Sequence, residues 1–77
     1  MYEKKFLTPA ICRAARALLG WSQDELARQA GVGRVTIADY ERGKSELMRG
    51  NIALITAAFD AAGVEIIRQG QGGVVLR

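Results

Sequence analysis

The sequence predicts a mainly α fold: four short helices followed by a short C-terminal β hairpin or strand tail. Three observations carry this reading. Apolar residues recur at three- and four-residue spacing in successive windows. The windows are bounded by capping and glycine signals. After Gly63 the pattern turns β-branched, short and glycine-punctuated.

Thr8-Pro9 starts the first helix, a hydroxyl N-cap with proline at the first helical position. Ile11, Ala14, Ala15, Leu18 and Leu19 supply its apolar face, while Arg13 and Arg16 lie elsewhere on the wheel. Cys12 joins the apolar side as a small hydrophobe, Arg13 reads as a surface charge, and Gly20 closes the helix. Ser22-Gln23-Asp24-Glu25 is a capping box whose acids also suit the positive end of the helix dipole. Leu26, Ala27 and Ala30 form a short apolar face before Gly31 ends this second helix. Trp21, between the two helices, reads as a core or hinge plug.

Gly33 to Arg42 supports a third helix. At about 100° per residue Ile37 and Tyr40 point one way, and Arg34, Val35, Ala38, Asp39 and Arg42 cluster in an arc on the other. Gly43-Lys44-Ser45 ends it. A fourth helix runs through Ile52, Ile55, Ala58, Phe59 and Ala62, starting between Glu46 and Asn51 and stopped by Gly63. Residues 64–69 and 74–77 then read as β segments around the turn Gly70-Gln71-Gly72-Gly73. The chain divides at this point into a helical domain, 1–63, and a β tail, 64–77. Val64 and Ile66 alternate with Glu65 and Ile67, so both faces of the tail carry an apolar residue and at least one needs a cover. Pairing with the same segment of a second chain would supply it and make the tail a dimerisation element; whether the segments pair within or between chains stays open.

A chain of 77 residues is one small domain, able to bury only about 60% of its unfolded surface, so dimerisation is a natural way to bury more. Apolar residues at 49% and charged residues at 25% describe a globular domain and not a disordered tail. The net charge of +3 is compatible with a polyanionic partner without being diagnostic of one. With one cysteine and no histidine, zinc sites, Ser-His or Cys-His nucleophile pairs and histidine acid-base catalysis are unsupported. Asp24, Glu25 and Glu41 have structural roles open to them, and nothing resembles a cofactor loop. The expectation is a non-enzymatic, cytoplasmic protein with no cofactor, metal or membrane span; the N-terminal residues Met1–Leu7 hold no apolar run of signal-peptide length.

Two short helices joined by a tight glycine turn, the second exposing a polar arc, have the geometry of a helix-turn-helix. Small Ala27 allows close approach, Gly31 supplies the turn, and Ile37 and Tyr40 hold the third helix on the core. The run from Ser22-Gln23 through Glu25-Leu26-Ala27, Ala30-Gly31-Val32, Arg34, Thr36-Ile37 and Tyr40-Glu41-Arg42-Gly43-Lys44 resembles the signature of the lambda-repressor/Cro-like family, also called the Xre family. The resemblance covers about residues 8–62. It departs at Gly33, where the family usually has Ser or Thr, and in the glycine-rich β tail that stands in place of a fifth helix.

That resemblance implies a Cro-like transcriptional regulator, such as a repressor, that binds double-stranded DNA as a homodimer with its third helix in the major groove. Gln23 would meet a phosphate at the second helix's N-terminus. Arg34, Val35 and Asp39 would stand at base-reading positions, with Thr36 at the groove wall. Arg34 suits guanine, Asp39 suits cytosine, and Val35 suits a thymine methyl. Asp39 has a second reading, in which it only orients Arg34 or Arg42. Arg42 and Lys44 would lie on backbone phosphates, and Arg49 matches a position where some relatives carry a minor-groove arginine. Arg16 and Glu41 match a family pair tying the first helix to the end of the third. The alternative function is an antitoxin-like module whose β tail binds a protein partner such as a toxin.

Overall fold

The computed structural model describes residues 7–67 and 72–77. The expectations about the N-terminal residues before Leu7, the far end of the first β segment and most of the 70–73 turn fall outside these residues. The element order is α1 (Pro9–Leu19), α2 (Gln23–Ala30), α3 (Arg34–Glu41), α4 (Arg49–Ala61), β1 (Val64–Ile67) and β2 (Gly73–Leu76).

Local chemistry sets the helix ends. Thr8 accepts from the Ile11 amide at 3.1 Å, ahead of Pro9 at the first helical position. Gly20, at φ 69°, closes α1 by sending its own amide to Ala17 O and that of Trp21 to Arg16 O. Ser22 Oγ accepts from the Glu25 amide at 3.0 Å. The expected capping box is completed on that side only, because the Glu25 carboxylate turns to Arg28 and Gln29 one turn on. The Gly33 N-cap gives α3 no side-chain hydrogen bond, and α4 begins at Arg49, inside the interval the sequence allowed.

Gly33 has φ −63°, and a Cβ there would meet Thr36 Oγ1 at an ordinary 3.6 Å. Gly33→Ser is therefore expected to stabilise the fold by about 0.5–1 kcal/mol, through a cap hydrogen bond and a less flexible unfolded chain. A thermal melt should show Tm higher by a few degrees; an unchanged or lowered Tm would contradict the reading.

One core joins the four helices and β1: Cys12 and Ala15 from α1, Leu26 and Ala30 from α2, Val32, Ile37 and Tyr40, Ile55 and Phe59 from α4, and Val64 from β1, with the partly buried Val74 of β2 packed against it. Trp21 stacks on Phe59 with ring centroids 6.0 Å apart, as a plug beside that core. The apolar face expected for α1 is rotated in the structure. Ile11, Cys12 and Ala15 are buried, whereas Ala14 is exposed and Leu18 is 43% exposed. Apolar residues run more than halfway round this helix. The Arg16 contact with α3 turns the Cys12–Arg16 side inward.

β1 and β2 pair antiparallel within the chain, Val64 opposite Leu76 and Ile66 opposite Val74. The helical body covers the inner face: Val64 and Ile66 are buried, and the hairpin packs on α1 and α4. An isolated two-stranded hairpin is marginal in water, so this docking is what orders it. Arg77 completes the closure. Its amide donates to Gly63 O, and its guanidinium to Asp60.

Candidate nucleic-acid interface

The α2–α3 corner turns on Gly31, whose φ of 72° is one that a Cβ would resist. Both the Gly31 and Val32 amides donate to Ala27 O, at 2.9 and 3.1 Å, and Val32 drops into the core. Ile37 and Tyr40 then anchor α3 from below. The outward arc is left clear: Arg34, Val35, Thr36 and Arg42 are exposed, with Val35 at 62%. An apolar side chain that open has no packing reason to be there.

Glu41 fixes the far end of α3. At 5% exposure it is the buried charged residue of the described core. Arg16 grips its carboxylate with two hydrogen bonds, Nε to Oε2 at 2.8 Å and Nη2 to Oε1 at 2.7 Å. Gln23 Nε2 donates to Oε1 at 3.1 Å and Cys12 Sγ to Oε2 at 3.1 Å. Burial by itself raises the carboxyl's pKa, but the bonds from Arg16, Cys12 and Gln23 outweigh it and hold it below the ordinary value. The same contact raises the Arg16 guanidinium, and burial with the Glu41 bond pushes the Cys12 thiol up. Cys12 is thus an inert thiol.

Arg16 and Glu41 form the pair that the resemblance implied. Three neighbours went unforeseen, among them Gln23, which the resemblance had placed on a phosphate. Arg13, read as a surface charge, sends Nη1 to the Glu41 carbonyl at 2.5 Å and satisfies the end of α3. Cys12 is buried as expected but also donates a hydrogen bond. Its lone thiol on an apolar stripe carries no sequence signal for a partner 29 residues away.

The remaining candidates sit as follows. Arg34, Val35 and Thr36 stand together on the first turn of α3, with Asp39 and Arg42 further along the same side. Lys44 follows in the loop, exposed, its amide bonded to Asp39 O at 2.8 Å. Asp39 is half-buried and accepts from Arg42 at 3.2 Å. Arg34 meets Asp24 of α2, at 3.1 Å. Gln23 is apart from this group, half-buried at the start of α2 with its amide nitrogen on Glu41. Both surface ion pairs are solvent-exposed and worth at most about 1 kcal/mol, so a phosphate or base can displace them. The arc offers a planar donor fork, a methyl-bearing contact and cations on a rigid helix, and no assembled acid-base pair. Among the described residues no group of three or more potential ligands is placed to hold a metal ion, and no helix is long and apolar enough to cross a membrane.

A family model described as helix-turn-helix matches residues 13–66, from within α1 to β1. A curated protein of Neisseria meningitidis serogroup B, named Neisseria hypothetical transcription factor, is 36% identical over 55 residues, 71% of this chain and 52% of that protein. The chain spans about half the length of the curated relative it matches.

Proposed function

The chain belongs to the helix-turn-helix family of the lambda-repressor/Cro-like (Xre) type, and from that premise we propose that it is a DNA-binding transcriptional regulator acting in the cytoplasm. The observation that carries this is the arc of α3, which presents Arg34, Val35, Thr36 and Arg42 outward while the Glu41 hub locks the helix from behind. The arc enters the major groove. Arg34 reads guanine, Val35 touches a thymine methyl, and Thr36 lies at the groove wall. Asp39 acts by holding Arg42, which lies with Lys44 on backbone phosphates. Gln23 reaches the phosphate only by sharing its amide with Glu41, so its part is the smallest. Two copies acting as a homodimer would read successive major grooves, about 34 Å apart, on a roughly palindromic site. The name of the Neisseria relative, hypothetical transcription factor, accords with this reading.

Titration of duplex DNA at several salt concentrations is the test. Each phosphate contact should contribute about −0.9 to the slope of log affinity against log salt. Lys44→Ala is expected to weaken binding on all sequences alike and to reduce that slope by about 1. A chain that does not bind at low salt, or binds without salt dependence, is not a DNA-binding regulator.

A further inference from the structure

α4 is apolar on the side that faces solvent as well as on the side that faces the core. Gly50, Ala53, Leu54, Ala57 and Ala61 are all exposed and fall within an arc of about 100° on the wheel. Leu54 is 46% exposed. Beside this stripe lies a groove of about 350 Å³, lined by Thr56, Ala57, Asp60 and Ala61 of α4 and by Val64 and Ile66 of β1. Thr56 Oγ1 is buried there without a hydrogen-bond partner among the described residues. β1 borders the groove, and β2 is its one strand neighbour among the described residues. Because Arg77 N bonds to Gly63 O, the alternation of an antiparallel ladder turns the amides and carbonyls of Val64 and Ile66 away from β2. An apolar helix face and an unpaired strand edge therefore lie side by side.

We propose that this combined surface, the outer face of α4 with the open edge of β1, is the two-fold interface on which a second copy of this chain docks. The proposal rests on the homodimer part of the functional reading and names its surface. The occupant follows from self-complementarity. When α4 packs antiparallel against α4 of the second copy with Ala53 beside Ala57, Arg49 at one end comes beside Asp60 of the second copy, whose exposed carboxylate takes this second cation in addition to Arg77 of its own chain. The two charges border the same flank of the stripe, so the two-fold makes both contacts at once. Small side chains let the helices approach closely enough for the strand edges to meet. A register centred on Ile66 sets Glu65 opposite Ile67 and avoids the like-charge contact that centring on Glu65 would create. Both edges are then paired, which removes the liability of an open strand.

Sedimentation equilibrium of the full chain at about 100 μM tests this, with circular dichroism on every variant. The wild type should weigh twice the 8.3 kDa of the chain. Ala57→Glu, at an exposed position that any helix tolerates, should weigh 8.3 kDa with an unchanged spectrum. Arg49→Asp and Asp60→Arg should each weaken the dimer at least tenfold, and the two together should restore it. A wild type that stays at 8.3 kDa overturns the proposal and the free homodimer together. An Ala57→Glu chain that remains dimeric, or a charge exchange that restores nothing, overturns this surface and leaves a dimer by another face. Binding of the wild type and of Ala57→Glu to a half-site duplex, followed in parallel, reports on the DNA reading independently of either result.

Discussion

Replacing Glu41 by alanine is expected to destabilise the fold by about 3–5 kcal/mol, the largest effect expected of a polar substitution among the described residues, where it is the buried charged group. The loss comes from what is left behind. Arg16, whose side chain is 18% exposed, would keep its charge without its carboxylate, and Gln23 and Cys12 would each lose an acceptor. For a domain of this size each kcal/mol lowers Tm by roughly 4–8 °C, so the melt should shift by tens of degrees. Arg16→Ala should lose nearly as much. The double variant should cost far less than the sum of the two, because neither charge is then stranded. A cycle with no coupling would refute the pair as the element that locks α3. The same hub sets an acid limit. The folded-state pKa of Glu41 lies below its ordinary value near 4.5, so its stabilisation is fully present above that value and is lost as pH falls through the folded pKa. Denaturant melts of the wild type should show this loss below about pH 4.5. Glu41→Gln, which cannot ionise, should show a smaller dependence on pH over that interval.

Arg34→Ala is expected to weaken binding to the preferred duplex by about 1–3 kcal/mol, roughly 5- to 150-fold, and to relax the preference at one base pair. The guanidinium sits on the first turn of α3, where a helix laid in the major groove brings its N-terminal residues to the base edges. Its bond to Asp24 is between exposed groups and should yield on binding. Asp24→Asn should consequently change affinity by less than about 1 kcal/mol. Selection of bound sequences from a random pool, followed by titration, separates readout from simple attraction. If Arg34→Ala binds the same sequence with the same affinity, the arginine is a solvated surface charge. Val35→Ala should change the selected base more than the overall affinity.

The helix ends were legible because their causes are local. Thr8, Ser22, Gly20 and Gly31 act through bonds three to five residues along the chain, and such spacing is written in the sequence itself. The core faces of α3 and α4 were legible for the same reason: Ile37 and Tyr40 mark one side of α3, and Ile55 and Phe59, the bulkiest apolar pair at helical spacing on α4, mark the side of that helix that is buried. The outward arc of α3 followed from what those anchors left over. Periodicity by itself showed no partner for Glu41; that came only through the resemblance.

What lies between elements was decided by the tertiary structure. Apolar residues surround too much of α1 for periodicity to choose its buried side; the reach of Arg16 to a carboxylate 25 residues away chose it. Arg13 and Cys12 found their acceptors on Glu41 across similar separations. Arg34 met Asp24 on α2 because the tight corner brings the two helices together, whereas Asp39 lies one turn from Arg42 and paired there. The β segments closed on each other because Val64 and Ile66 could be buried against α1 and α4. Caps and periodicity are properties of a few neighbouring residues. Ion-pair partners and the choice of covered face depend on which surfaces the compact chain brings together, and no local window contains both sides of such a contact.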